Sequence, residues 1–158
     1  MQKKRIRKKE AKEISREVSE RAGVNVEGEM ELLDFGDKKI ILVNNEPLLF
    51  EYEDRHYVSL YGAIKLKPEK YRVTVDSGAM SFIMNGADIM KPGIVYADIR
   101  IKEGDFVYVT VEGKRSPIAI GVAMCGGEEM KGRGKAVKNL HYLKDKIWGY
   151  LLESGLIS

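Results

Sequence analysis

The side chains able to do covalent or metal chemistry in this 158-residue chain are few: His56, His141 and a single cysteine, Cys125. Zinc sites need Cys and His clustered at short spacings, and these three lie far apart, so no metal site is expected. His141 stands beside Tyr142 in an apolar, strand-like segment, where a packed, hydrogen-bonded histidine fits better than a general base. Gly127 to Gly132 has the two-glycine spacing of a phosphate-binding loop, but Arg133 and Gly134 occupy the places that need Lys and Ser or Thr. Asp76, ahead of Ser77-Gly78-Ala79, is accounted for as a helix cap; acid chemistry on RNA is its alternative role. No catalytic residue, metal or cofactor is expected, and the chain reads as a non-enzyme.

What the sequence does offer is a shaped surface. Between Val75 and Ile94 it places Gly78-Ala79, Gly86-Ala87 and Pro92-Gly93 in an apolar, nearly uncharged stretch. Such small residues let a ligand come close to the backbone, where N–H groups can bond phosphate oxygens. Four cations follow at Lys131, Arg133, Lys135 and Lys138, and strand alternation would put Arg133 and Lys135 on one face. Small residues ringed by cations suit a polyanion. A bland reading explains the same residues: Gly86 and Gly93 as turns needing positive φ, Ala79 and Ala87 as tight packing, and the four cations as a solvated edge. By the same reasoning Phe82 fits the core better than a base-stacking platform.

Charge is distributed unevenly along the chain. Residues 1–21 carry nine Lys/Arg against four Glu, residues 22–70 six basic against ten acidic, and residues 71–158 twelve basic against ten acidic. Two positive segments thus flank an acidic middle, a pattern that favours anionic partners. One cysteine allows no internal disulfide, no apolar signal core follows the basic start, and runs such as Ile118 to Met124 are far short of a membrane span. A cytoplasmic location is expected. Lys and Glu abound while Gln2 is the only glutamine, a bias of heat-adapted proteins.

Two kinds of element must position the surface. Ala11, Ile14, Val18 and Ala22 recur at spacings of three and four ahead of Gly23, which predicts a helix over 8–22. Apolar segments at 30–35, 39–43 and 48–52, separated by Gly36-Asp37 and Asn44-Asn45, predict a small meander with an exposed edge. Tyr57 to Leu66 is ambiguous between helix and strand. Beyond Pro68, short β-branched segments at 71–75, 95–101, 106–111, 118–124 and 136–141 predict a small antiparallel barrel or sandwich. One or two helical turns are expected over 78–85, and a terminal helix over 145–152 with Trp148 facing inward.

The order Asp76-Ser77-Gly78-Ala79, Gly86-Ala87-Asp88-Ile89-Met90, Pro92-Gly93-Ile94, Glu103-Gly104-Asp105, Ala119-Ile120-Gly121 and Gly134-Lys135-Ala136-Val137 resembles the PUA domain, named for pseudouridine synthases and archaeosine transglycosylases. Upstream, Asn45-Glu46-Pro47-Leu48-Leu49-Phe50, and downstream, Asn139-Leu140-His141-Tyr142-Leu143-Lys144-Asp145 with Trp148, resemble the malignant T-cell amplified sequence family. The resemblance implies an α+β chain of archaeal type: an N-terminal α/β domain of one helix and antiparallel strands over 1–69, a PUA-like β pseudo-barrel with short helices over 70–152, and a tail over 153–158.

It also implies an RNA-facing surface of Gly78, Ala79, Phe82, Gly86, Ala87, Pro92 and Gly93, with Lys135, Ala136 and Lys138 on the last strand. Arg133 joins these by position, and Lys3, Lys4, Arg5, Arg7 and Lys8 are candidates for additional contacts. The implied function is binding of structured RNA, ribosomal RNA or tRNA, by a translation factor on the small ribosomal subunit. Structured RNA is read mostly by shape and by phosphate and 2′-hydroxyl contacts, which suits small residues. Two alternatives stand beside it: an adaptor whose N-terminal domain docks a protein partner, and an accessory subunit delivering RNA to a modifying enzyme.

Overall fold

Ala11, Ile14, Val18 and Ala22 form the buried stripe of α1 (Lys8–Ala22), which ends where Gly23 turns left-handed at φ +69° and donates to Ser19 O at 2.9 Å. The computed structural model describes all residues, Met1–Ser158, in two compact units: Met1–Glu69 with Lys146–Ser158, and Lys70–Asp145. No helix is long and apolar enough to cross a membrane.

In the first unit an antiparallel sheet runs in chain order from β1 (Lys3–Arg5) through β2 (Met30–Asp34), β3 (Lys38–Val43) and β4 (Glu46–Tyr52) to β5 (Arg55–Val58). Two-residue turns close two of its hairpins: Asn44-Asn45 and Glu53-Asp54 all take positive φ, which matches the right-handed twist of the strands they join. The ambiguous stretch resolves into β5 and then α2 (Leu60–Leu66), whose N-cap hydroxyl, Ser59 Oγ, accepts from Gly62 N at 2.9 Å.

Three expectations need correction here. The strands at 30–52 leave no open edge, because β2, β3 and β4 each have neighbours on both sides; the outer strands are β1 and β5. The terminal helix α4 (Lys146–Glu153) groups with the first unit, not with the barrel, burying Ile147 and Leu151 while Trp148 is only half-buried. Residues 153–158 are no loose tail, since Ile157 is buried and its N–H reaches Leu151 O at 3.2 Å.

The second unit holds a six-stranded sheet built from β6 (Arg72–Val75), β7 (Ile89–Met90), β8 (Ile94–Ala97), β9 (Phe106–Val111), β10 (Ala119–Ala123) and β11 (Lys135–Tyr142), in the order β7-β11-β10-β9-β6-β8. Its two outer strands, β7 and β8, are joined in sequence by the 3-10 turn Lys91–Gly93. The sheet therefore curls until its ends meet through three residues, a nearly closed barrel around Val73, Val109, Ile118, Val137 and their neighbours. One pair departs from the expected antiparallel pattern: β6 and β9 run parallel, Val73 opposite Val109, and Thr74 and Thr110 share a buried hydrogen bond of 2.8 Å there. The strand expected over 95–101 stops at Ala97, where Asp98 Oδ1 accepts from Arg100 N and turns the chain.

Candidate nucleic-acid interface

The surface begins where β6 ends. Asp76 Oδ1 accepts from Ala79 N at 3.1 Å and caps the 3-10 turn Ser77–Ala79, which runs straight into α3 (Met80–Ile83). Asp76 N donates to Gly93 O at 2.9 Å, drawing the Pro92-Gly93 turn against the start of this helical segment. A Cβ on Gly93 would lie 3.2 Å from Ala79 Cβ, tighter than an ordinary contact, so the two turns approach each other closely there.

The loop after α3 is held from the opposite side by β11. Asn139 Nδ2 donates to Ile83 O at 3.1 Å and Ala87 O at 2.9 Å, while Asn139 N donates to Asp88 Oδ1 at 3.0 Å. Gly86 sits in this loop at φ +93°, with the Tyr142 hydroxyl 3.1 Å from where a Cβ would be. Turn geometry and close approach both demand glycine at this position. Lys91 N adds a bond to Gly134 O at 2.9 Å, which ties the barrel's closing turn to the entry of β11.

These bonds gather most of the expected residues on one surface. Gly78, Phe82, Gly86, Ala87, Pro92, Arg133, Lys135 and Lys138 are exposed, and Ala79 and Gly93 are half-buried between them. Ala136 is a correction: it is fully buried, so its side chain belongs to the barrel core. Arg133 lies in the loop before β11, and a register irregularity between Lys135 and Val137 breaks simple alternation there. Lys135 and Lys138 are the cations that the strand itself presents.

Phe82 also departs from the sequence reading. It is 69 % exposed rather than packed in the core, because α3 spans four residues and turns only Ile83 inward. An aromatic ring left in water at the rim of a small-residue surface is available to stack on a base. Opposite charge in the patch is limited: Asp88 pairs with Lys135 at 3.2 Å, and the Asp76 carboxylate is committed to its cap.

Sequence reasoning missed Asn139 and Asp88 as positioning residues. Both stand within motifs that carried the resemblance, but only the fold shows that they bond one another's segments. His141 is fully buried, its Nδ1 2.6 Å from Asp145 Oδ2, as a packed histidine should be. The N-terminal candidates Lys3, Lys4, Arg5, Arg7 and Lys8 are exposed, but they belong to the first unit, on β1 and at the entry to α1.

Comparison with known proteins matches residues 71–143 to the PUA domain and residues 2–66 to a domain of unknown function, DUF1947. An uncharacterized protein of Methanocaldococcus jannaschii is 47% identical over 125 residues, 78% of this chain and 77% of its own. Translation machinery-associated protein 20 of Saccharomyces cerevisiae is 34% identical over 135 residues, 79% of this chain and 74% of its own. Among solved structures, a hypothetical protein of Pyrococcus horikoshii superposes with a TM-score of 0.83 at 39% identity, covering 94% of this chain and 99% of the other. With its DUF1947 segment followed by a PUA barrel, the chain belongs to the family of translation machinery-associated protein 20 and malignant T-cell-amplified sequence 1.

Proposed function

We propose that the barrel surface binds structured RNA, ribosomal RNA or tRNA, and that the protein acts in translation on the small ribosomal subunit as a binder and not as a catalyst. The observation that carries this reading is the surface around Ala79, Gly86-Ala87 and Pro92-Gly93, rimmed by exposed Phe82 and by Arg133, Lys135 and Lys138. Its small side chains admit sugar and phosphate to the backbone, its lysines neutralise charge, and its one ring can stack on an unpaired base. The name of the yeast relative supports a place in the translation machinery.

Binding to tRNA, to ribosomal RNA and to isolated small subunits, followed by fluorescence anisotropy across a salt series, tests the reading. With roughly four to six phosphates neutralised, log K should fall against log salt with a slope of about −4 to −5. Absence of affinity for all three at low salt would overturn it.

A further inference from the structure

The first unit carries a groove of about 1250 Å³ that the barrel surface does not account for. One wall is α1, from which Lys8, Lys12, Ser15, Arg16 and Ser19 face the groove. These positions recur every three or four residues and so share one helix face. Lys8, Lys12 and Arg16 stand four residues apart, which sets a positive charge about every 6 Å along the axis. Arg5 and Arg7 add two more cations from the segment leading into the helix.

This ladder is not neutralised from within. Arg5 pairs with Glu29 at 3.2 Å in an exposed position, whereas Arg7, Lys8, Lys12 and Arg16 make no ion pair. Like charges at i and i+4 destabilise a helix, so an anion bound along this face would relieve them. The acidic side of α1 is used elsewhere: Glu17 bonds Arg21 at 2.9 Å and His56 Nδ1 at 2.8 Å. Glu13 and Glu20, three and four residues from Arg16, border the cationic face but make no ion pair with it.

We propose that this groove holds a short single strand of RNA by its phosphodiester backbone, as a second site besides the barrel surface. The inference extends the RNA-binding reading above and rests on it. Lys8, Lys12 and Arg16 neutralise phosphates, and the Ser15 and Ser19 hydroxyls donate to phosphate oxygens between them. The opposite wall carries two carboxylates, Glu27 and Glu29. That asymmetry separates the candidate ligands.

An RNA strand carries 2′-hydroxyls beside its phosphates, and these can donate to Glu27, while Glu29 is held by Arg5. An extended acidic peptide points alternate side chains to opposite sides and would set half its carboxylates against Glu27 and Glu29. No aromatic residue lines the groove, so bases are not stacked and sequence is not read. The α1 wall from Lys8 to Ser19 runs about 16 Å, which sets its three cations against about three successive phosphates of an extended strand.

Hexauridylate labelled with a fluorophore is the probe, titrated against the whole protein at low salt, with tRNA and small-subunit RNA in parallel and with hexaglutamate and oligodeoxyuridylate as competitors. Lys12→Glu with Arg16→Glu should lower hexauridylate affinity about tenfold or more, and Lys12→Gln with Arg16→Gln, which keeps the helix, should reduce the salt slope by about 1.4. Lys114→Glu, at an exposed turn that belongs to neither surface, should leave hexauridylate binding unchanged.

Hexauridylate unaffected by the groove variants overturns the second site while leaving the barrel reading intact. Displacement by hexaglutamate in preference to unlabelled hexauridylate overturns it in favour of a peptide groove. Folded RNA bound without any hexauridylate binding also rejects the groove alone. Hexauridylate bound and lost in the groove variants, with no affinity for folded RNA, supports the groove and rejects the barrel reading.

Discussion

Asn139 Nδ2 donates to the main-chain oxygen of Ala87 at 2.9 Å, and the same amide reaches Ile83 O at 3.1 Å. One nearly buried side chain on the last barrel strand therefore fixes both ends of the glycine loop. Backbone carbonyls at such a depth need partners, and no other bond to these two is supplied from β11.

Asn139→Ala should cost about 1–3 kcal/mol by leaving Ala87 O without its donor, whereas Ile83 O keeps its bond from Gly86 N at 3.0 Å. Urea unfolding measures that loss. Hydrogen exchange should localise it, with amides of residues 84–88 exchanging faster than those of β9 and β10. Equal protection across both regions would show that the loop holds itself.

Phe82→Ala separates function from stability. The ring is 69 % exposed, so the thermal midpoint should stay near wild type, within about 0.5 kcal/mol. If the ring stacks on a base, RNA affinity should drop by about 1–3 kcal/mol. A calorimetric melt and an anisotropy titration on one preparation check both halves.

Lys135→Gln tests the cationic rim. Its pairing with Asp88 is solvent-exposed on the lysine side, so stability should change by about 0–1 kcal/mol. A salt series on tRNA or ribosomal RNA should show the slope reduced in magnitude by about 0.9, the contribution of one phosphate contact.

Glu17 links stability to acid pH. Burial alone would raise its pKa, but hydrogen bonds from the His56 backbone N–H, the His56 ring and Arg21 outweigh that and hold it below the ordinary 4.5. A carboxyl depressed in the fold stabilises the protein above its unfolded pKa, and that contribution fades as pH falls below 4.5 through the folded value. Glu17→Gln should therefore be less stable than wild type at neutral pH, with the gap closing as pH falls below 4.5. Denaturant midpoints of the two proteins across that range measure it.

The sequence disclosed those parts whose signals are local. α1 was legible because four apolar residues keep helical spacing ahead of a capping glycine, and the Asn44-Asn45 turn because asparagine tolerates positive φ. Glu53-Asp54 makes the same kind of turn without announcing it. Phe82 was misread because a four-residue helix is too short to show a face. The Arg133 and Lys135 pairing assumed a regular strand, which the irregularity after Lys135 removes. The parallel β6–β9 pair and the bond from Asn139 to the glycine loop join segments far apart in sequence, and no periodicity records such partners. Lys3–Arg5 gives no strand pattern either, since β1 forms only through its register with Glu31–Leu33.

The Tyr150 ring of α4 meets Phe35 edge-on at 5.5 Å, so the unit that opens the chain is finished by residues made nearly at its close. Domains usually mature in the order in which they leave the ribosome, at about 5–20 residues per second. Here that order is inverted. The barrel has all its strands once Asp145 has emerged, whereas the earlier-made half must wait several seconds, with its apolar seat for α4 open to nascent-chain chaperones.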